Sequence, residues 1–254
     1  MPGDGFACTA TILGCIGRPL RRTEIPMNRL GLRAFATAAA LSAAAGLAAP
    51  AGAGEAEGKV QVKVLGSAVL PDGRIEAVNT DLVGLPANTQ TRANDNHVPT
   101  LAIEYFVTPA FSLETICCLT QHDVDGTTGL PGAELVSDAN LIPATVMLKY
   151  HLNAGGISPY VGAGAAYFLF FGEDPGAAAV ALGADDFDMS NELGIALQAG
   201  IDVPIGDNGM ALSLDAKRYF IGTTARWFAG GAKVIETEHD LDPWVLSAGL
   251  ALRF

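Results

Sequence analysis

Trp244-Val245-Leu246-Ser247-Ala248-Gly249-Leu250-Ala251-Leu252-Arg253-Phe254, the C-terminal stretch, alternates in character with a period of two. Trp244, Leu246, Ala248, Leu250, Leu252 and Phe254 share one parity, and Ser247, Gly249, Ala251 and Arg253 share the other. Successive side chains of a strand point to opposite faces, so this stretch reads as a strand with one apolar face and one small or polar face. Upstream, Leu193, Ile195, Leu197, Ala199, Ile201 and Val203 oppose Glu192, Gly194, Ala196, Gln198, Gly200 and Asp202. Leu212, Leu214 and Ala216 oppose Ser213, Asp215 and Lys217, while Leu101, Ile103, Tyr105 and Val107 oppose Ala102, Glu104 and Phe106. A face that collects glycine, hydroxyls and charges of both signs does not read as the core of a sandwich. In a narrow closed barrel it is the inner face, where side chains must be small or must pair. The charges expected to pair across it are Lys63, Lys149, Lys217 and Arg253 with Glu104, Glu114, Asp202 and Asp215.

Working outward, the same reading gives strand segments at about 59–69, 98–107, 111–121, 142–152, 158–171, 190–204, 210–221 and 241–253. The connections alternate in length. Thr108-Pro109-Ala110, 153–157 and 205–209 are tight turns, whereas 70–97, 122–141, 172–189 and 222–240 are longer, more acidic and richer in glycine. The predicted fold class is all-β: an eight-stranded antiparallel transmembrane β-barrel with periplasmic turns, extracellular loops and both mature termini in the periplasm. Tyr105, Tyr150, Tyr160, Tyr219 and Trp244 at strand ends, with the terminal Phe254, fit the aromatic girdles of the two membrane interfaces. Hydrophobic residues make up 50 % of the chain and charged residues 17 %. Beyond the N-terminal region, however, no apolar run approaches the roughly 18–20 residues of a membrane helix. A water-soluble sheet with a solvated polar face shares these statistics and is the alternative.

An export signal weighs against that alternative. The basic stretch Asn28 to Arg33 leads into the Ala- and Leu-rich run Ala34 to Pro50, and Ala51-Gly52-Ala53 supplies a small-x-small cleavage site. Residues 54–254 are therefore expected to be the mature barrel and 27–53 the signal peptide, with a membrane anchor as the competing reading of the run. Residues 1–26, which contain Pro2, Pro19 and Pro26, read as an extension produced by a start codon assigned upstream of Met27. Five of the 15 basic and two of the 27 acidic residues lie before Gly54, so removing that segment moves the net charge from −12 to −15. Such acidity argues against nucleic acid as a partner. The acidic clusters Asp123/Asp125, Glu173/Asp174, Asp185/Asp186/Asp188 and Glu236/Glu238/Asp240/Asp242 read as solvated loops rather than a cation site. Cys8 and Cys15 fall in the removed part, and Cys117 and Cys118 are strand neighbours facing opposite ways, so no disulfide framework is expected.

Motifs that would carry chemistry fail on context. Gly162-Ala163-Gly164-Ala165-Ala166 lacks the third glycine of a dinucleotide-binding turn and continues as Tyr167-Phe168-Leu169-Phe170-Phe171 where a helix should open. It reads instead as a strand whose inward Gly162 and Gly164 keep the lumen narrow or leave room for a ligand. His97, His122, His151 and His239 lie at expected strand ends or in loops and lack the ligand count of a zinc site. Ser213 and Ser247 are inward nucleophile candidates with no histidine beside them, so neither an enzyme, a metal nor a cofactor is expected.

Four stretches in series carry a family resemblance. They are Ser158-Pro159-Tyr160-Val161-Gly162-Ala163-Gly164-Ala165-Ala166-Tyr167 with its Phe-rich end, Leu197 to Asp202, Ile221 to Ala225, and Leu241-Asp242-Pro243-Trp244-Val245 with Arg253-Phe254. In order and spacing, over about 59–254, they resemble the OmpW family of small outer-membrane proteins. The resemblance implies a Gram-negative outer-membrane barrel whose hydrophobic channel passes small apolar molecules toward the bilayer through a lateral gap. Expected partners are outer-membrane lipids, the barrel-assembly machinery and small hydrophobic molecules. The candidate channel-lining residues are Phe106, Tyr160, Gly162, Gly164, Phe168, Phe170 and Glu192, and Phe254 is the candidate assembly signal. One departure is Ser190-Asn191-Glu192-Leu193-Gly194, which places Glu192 where the family often carries an aromatic. Two functions remain open: a conduit for small hydrophobic compounds, favoured by the inward glycines, and a surface-interaction barrel acting through its acidic loops, favoured if paired charges fill the interior.

Overall fold

The computed structural model describes residues 58–152, 156–206 and 208–254. The expected signal peptide and start site lie outside these residues, as do Asn153 to Gly155 of one tight turn and Asp207 of another. In chain order the elements are β1 (Val60–Leu70), β2 (Arg74–Asp81), β3 (Thr91–Ala93), β4 (Asn96–Phe106), β5 (Phe111–Cys117), β6 (Thr120–Gly126), β7 (Glu134–His151), β8 (Ser158–Phe171), β9 (Asp174–Pro175), α1 (Ala177–Ala181), β10 (Asp186–Met189), β11 (Glu192–Pro204), β12 (Met210–Phe220), β13 (Gly222–Ala229), β14 (Ala232–Asp240) and β15 (Trp244–Arg253).

Strands β1, β4, β5, β7, β8, β11, β12 and β15 pair antiparallel in that order, and β15 returns to β1 with Lys63 opposite Ala251. Closure pairs every barrel strand on both sides, so that, apart from a short break in the ladder of β7, backbone N–H and C=O groups are satisfied without water, as a lipid environment demands. Burial follows the sequence parity. In β1 the buried residues are Gln61, Lys63, Leu65, Ser67 and Val69, while Val64 on the other parity is 63 % exposed. The outer band carries exposed Tyr105, Phe111, Tyr150 and Phe254 at the short-turn end and Tyr167, Phe220 and Trp244 at the other. Trp244 and Phe254 stand ten residues apart, roughly 33 Å along a strand and about 25 Å after the usual tilt, which is the height of an outer-membrane apolar band. Tyr160 and Tyr219, expected in the girdles, are instead buried inside the barrel, on the inward parity of β8 and β12.

The long-loop end departs from expectation. The segment read as one strand over 111–121 is two strands, β5 and β6, separated at Cys118 and Leu119, and β7 begins at Glu134 rather than near 142. The stretches read as loops fold into β2, β10, β13 and β14, a four-stranded sheet in the order β10-β13-β14-β2. With α1 this sheet forms a cap, joined to the β7 extension through Val136, Ala139, Ala179, Phe187, Ala225 and Trp227. Two of the acidic clusters fall mainly on these strands: Asp186 and Asp188 alternate with Phe187 and Met189, and Arg226 between Ala225 and Trp227 pairs with Asp188 and Glu236, whereas Asp123 and Asp125 lie in β6 and Asp174 in β9.

Candidate functional site

The barrel interior divides into two tiers. Toward the short turns, parity brings seven of the expected charges together. Lys149 Nζ lies 2.8 Å from both Glu104 and Glu114, Lys63 lies 3.0 Å from Asp202, and Lys217 lies 2.6 Å from Asp215 and 3.2 Å from Glu114. All seven are buried. Removing one partner from such a set leaves an uncompensated charge, which typically costs about 3–5 kcal/mol. Arg253 is placed nearer the short turns, stacked 3.6 Å from the Phe106 ring centroid and donating to the Gly58 carbonyl.

Several members of this plug were not among the charges expected to pair. Gln61 donates to Asp202 at 3.0 Å, Gln198 donates to Asp215 at 2.6 Å, and His151 Nε2 lies 2.7 Å from Glu104 and 2.8 Å from Ser112 Oγ. Inward parity would have found all four. Tyr160 also belongs here, because its hydroxyl donates to Asp215 at 2.8 Å and Lys149 Nζ sits 3.8 Å over its ring. The inward glycines do not leave room for a ligand. A Cβ on Gly200 would meet the Tyr160 ring at 2.4 Å, and one on Gly162 would meet the Lys149 side chain at 3.1 Å. On Gly164 it would meet the Val146 carbonyl at 2.0 Å. Their missing side chains make space for the plug and for close strand approach.

The upper tier is apolar. Leu141, Met147, Ala166, Phe168, Ala196, Tyr219 and Ile221 form one buried cluster, with Phe170, Leu241 and Val245 packed against it. Phe168 faces inward, 2 % exposed, with its ring 5.4 Å from Tyr219 and 6.4 Å from Phe170. The expected aromatic lining is thus split by the plug: Phe168 and Phe170 lie above it, while Phe106, 4.9 Å from the His151 ring, lies at its lower side. Glu192 is half-buried beside Phe168 in the ladder and accepts a 2.8 Å bond from Ser190.

Small apolar cavities continue from this tier into the cap. One of about 20 Å³ touches Phe168, Tyr219, Pro143 and Cys118, the next of about 60 Å³ touches Phe168, Phe170, Leu241 and Met189, and a third of about 40 Å³ touches Met189, Leu241, Phe187 and Trp227. The last leads, by way of Thr91 and Trp227, to a cavity of about 250 Å³ within the cap. At the lowest of these the wall itself is interrupted. The ladder from β7 reaches β5 at Thr145–Ile116 and resumes with β6 at Leu141–Thr120, so Ile142 to Ala144 have no ladder partner on that side. Pro143, buried and inward, has no N–H to offer there.

Girdles, an apolar exterior, full closure and an interior filled by side chains define an outer-membrane β-barrel. The OmpW family profile matches residues 56–254, and the chain belongs to the OmpW family. It is 32 % identical over 197 residues to the uncharacterized outer-membrane protein y4mB of Sinorhizobium fredii, covering 76 % of this chain and 79 % of that one. To outer membrane protein W of Vibrio cholerae it is 26 % identical over 197 residues, covering 74 % and 89 %. Among solved structures, OprG of Pseudomonas aeruginosa superposes with a TM-score of 0.70 at 23 % identity, covering 79 % of this chain and 98 % of that one. AlkL, solved in lipid bilayers, superposes with a TM-score of 0.63 at 24 % identity, covering 81 % and 95 %. These likenesses place the protein in the outer membrane of a Gram-negative bacterium, among its lipids.

Proposed function

We propose that the barrel binds small hydrophobic molecules at its extracellular side and releases them sideways into the outer leaflet. One observation carries this reading: the apolar tier ends on a sealed, charged floor at the level where the barrel wall is interrupted beside Pro143. An apolar solute descending from the cap meets Phe170 and then Phe168, cannot cross the ion network without losing its apolar contacts, and finds lipid through the gap.

The test is transfer of a fluorescent hydrophobic probe into proteoliposomes carrying wild-type or Phe168→Asp protein, beside barrel-free vesicles. Phe168→Asp replaces apolar contact worth about 1.5–3 kcal/mol with a group that demands water, so transfer should fall to the barrel-free rate. Equal transfer in all three preparations would remove the conduit reading and leave a surface-interaction barrel.

A further inference from the structure

The cavity of about 250 Å³ lies in the cap, beyond the barrel lumen, and is walled by Ile75, Leu85, Leu135, Leu182, Trp227 and Ile235 among others. The three cavities below it, at about 40, 60 and 20 Å³, are each well short of the roughly 150 Å³ that accepts benzene, so this is the space along the path with room for an organic molecule. Its wall contains no charged side chain, and of its four polar side chains, Thr89, Thr91, Thr237 and Trp227, all but Thr91 are already engaged. Thr89 donates to the Pro86 carbonyl at 2.6 Å, Thr237 Oγ1 lies 2.7 Å from His239 Nε2, and the Trp227 indole donates to the Leu135 carbonyl at 3.1 Å. A headgroup, whether a carboxylate or an ammonium, would find no charged partner there.

The rim makes a second, independent point. Val83 and Leu182 line the cavity and are 46 % and 67 % exposed, and beside them Leu82 and Val180 are 72 % and 53 % exposed. Large apolar side chains held in water on the cavity wall, with further exposed ones next to them in the chain, on an otherwise acidic cap, form the kind of patch that marks a binding site. Size fixes the class of occupant. A cavity of about 150 Å³ accepts benzene, and drug-sized ligands take about 300 Å³ or more, so this one suits a single ring carrying a few carbons, about ten non-hydrogen atoms.

The geometry points to a capture site in the cap for one neutral, monocyclic hydrocarbon-like molecule, held between Trp227 and Leu182 before it enters the barrel. This rests on the conduit reading and adds a discrete, size-limited first station to it. Thr91 and Trp227 line both this station and the cavity below it, so passage downward runs between them, and Trp227 is held on the lower side by a 4.8 Å contact with Phe187.

The chain contains two tryptophans, and Trp244 is on the outer girdle, so a Trp244→Phe background leaves Trp227 as the sole indole. In nanodiscs of this protein, 4-bromotoluene should quench Trp227 saturably with one site per chain. Filling the cavity through Ala184→Phe, or through Ala229→Leu should the first variant not fold, should weaken that binding by about tenfold or more, with heat-modifiable gel migration confirming the barrel. Phe168→Asp should leave the quenching intact, because Phe168 lines only the lower cavities. Quenching that never saturates, or is unchanged in the filled variants, would overturn the capture site. So would equally strong quenching by 1-bromododecane, which would assign the cavity to an acyl chain. If quenching fails while Phe168→Asp still stops probe transfer, the capture site falls and the conduit stands; saturable quenching with no barrel-dependent transfer gives the reverse.

Discussion

The lower and upper tiers of the barrel solve the same packing problem with opposite chemistry. In the lower tier, four carboxylates, three lysines, His151 and Tyr160 fill the lumen with directional contacts at 2.6–3.5 Å, and glycines opposite the largest groups let strands and side chains close up. In the upper tier, Leu141, Met147, Phe168 and Tyr219 fill it with non-directional contacts and leave voids. Ion pairs lock a geometry and exclude both water and oil, whereas apolar packing tolerates rearrangement and welcomes an apolar guest. The contrast divides the molecule into a seal and a yielding passage.

The sharpest way to break the comparison is Lys149→Met. It keeps the bulk but leaves Glu104 and Glu114 without their shared ammonium, and should lower barrel stability by about 3–5 kcal/mol in urea unfolding from lipid. A change below about 1 kcal/mol would mean that water enters the plug and that it is no seal. The matching change above, Leu141→Ala, should cost less, about 2–3 kcal/mol, because a region already holding voids relaxes around a new one. Equal costs in the two tiers would remove the distinction between them.

The lower tier was the more legible from sequence. Parity alone puts Lys63, Glu104, Glu114, Lys149, Asp202, Asp215 and Lys217 on one inner face, since a period of two admits no other placement once closure is assumed. It does not say at what height each residue sits, which depends on the stagger of neighbouring strands, and therefore could not tell that Phe106 and Tyr160 lie with the plug while Phe168 and Phe170 lie above it. Nor could it read the glycines correctly, because the space beside Gly200 is decided by the Tyr160 ring on another strand. The cap went unread for a different reason. Its acidic clusters resemble solvated loops, yet Asp186-Phe187-Asp188-Met189 and Glu236-Thr237-Glu238-His239 alternate as plainly as any barrel strand. Charge density masked the alternation.

A smaller effect on the folded barrel separates the chain end from both tiers. Phe254 is 41 % exposed in the lower girdle, and its backbone exchanges hydrogen bonds of 2.9 and 3.1 Å with Val60. Phe254→Ser keeps those bonds, so refolding into detergent should change by less than about 1 kcal/mol. Assembly in cells should nevertheless fall if the machinery that inserts barrels reads the terminal aromatic. Unchanged assembly, measured as heat-modifiable protein in outer-membrane fractions, would make Phe254 one more girdle residue.

The smallest expected effect is confined to the cap and sharpens the contrast between a rigid seal and a yielding upper passage. His239 lies in β14, partly buried beside the cavity that joins cap to barrel, with Nε2 at 2.7 Å from Thr237 Oγ1, and burial pushes its pKa down from 6.5 to about 4. The folded cap thus holds it neutral, while the unfolded chain takes up a proton near pH 6.5. Stability from the neutral ring is therefore complete above about pH 6.5 and is lost as pH falls through about 4. With Trp244→Phe in place, Trp227 emission should shift over that window while circular dichroism of the barrel holds steady. His239→Gln, which stays neutral and can still meet Thr237, is the control that should abolish the step. A step of the same size in His239→Gln would show that His239 is not the group responsible, and simultaneous loss of barrel signal would show that cap and barrel unfold as one.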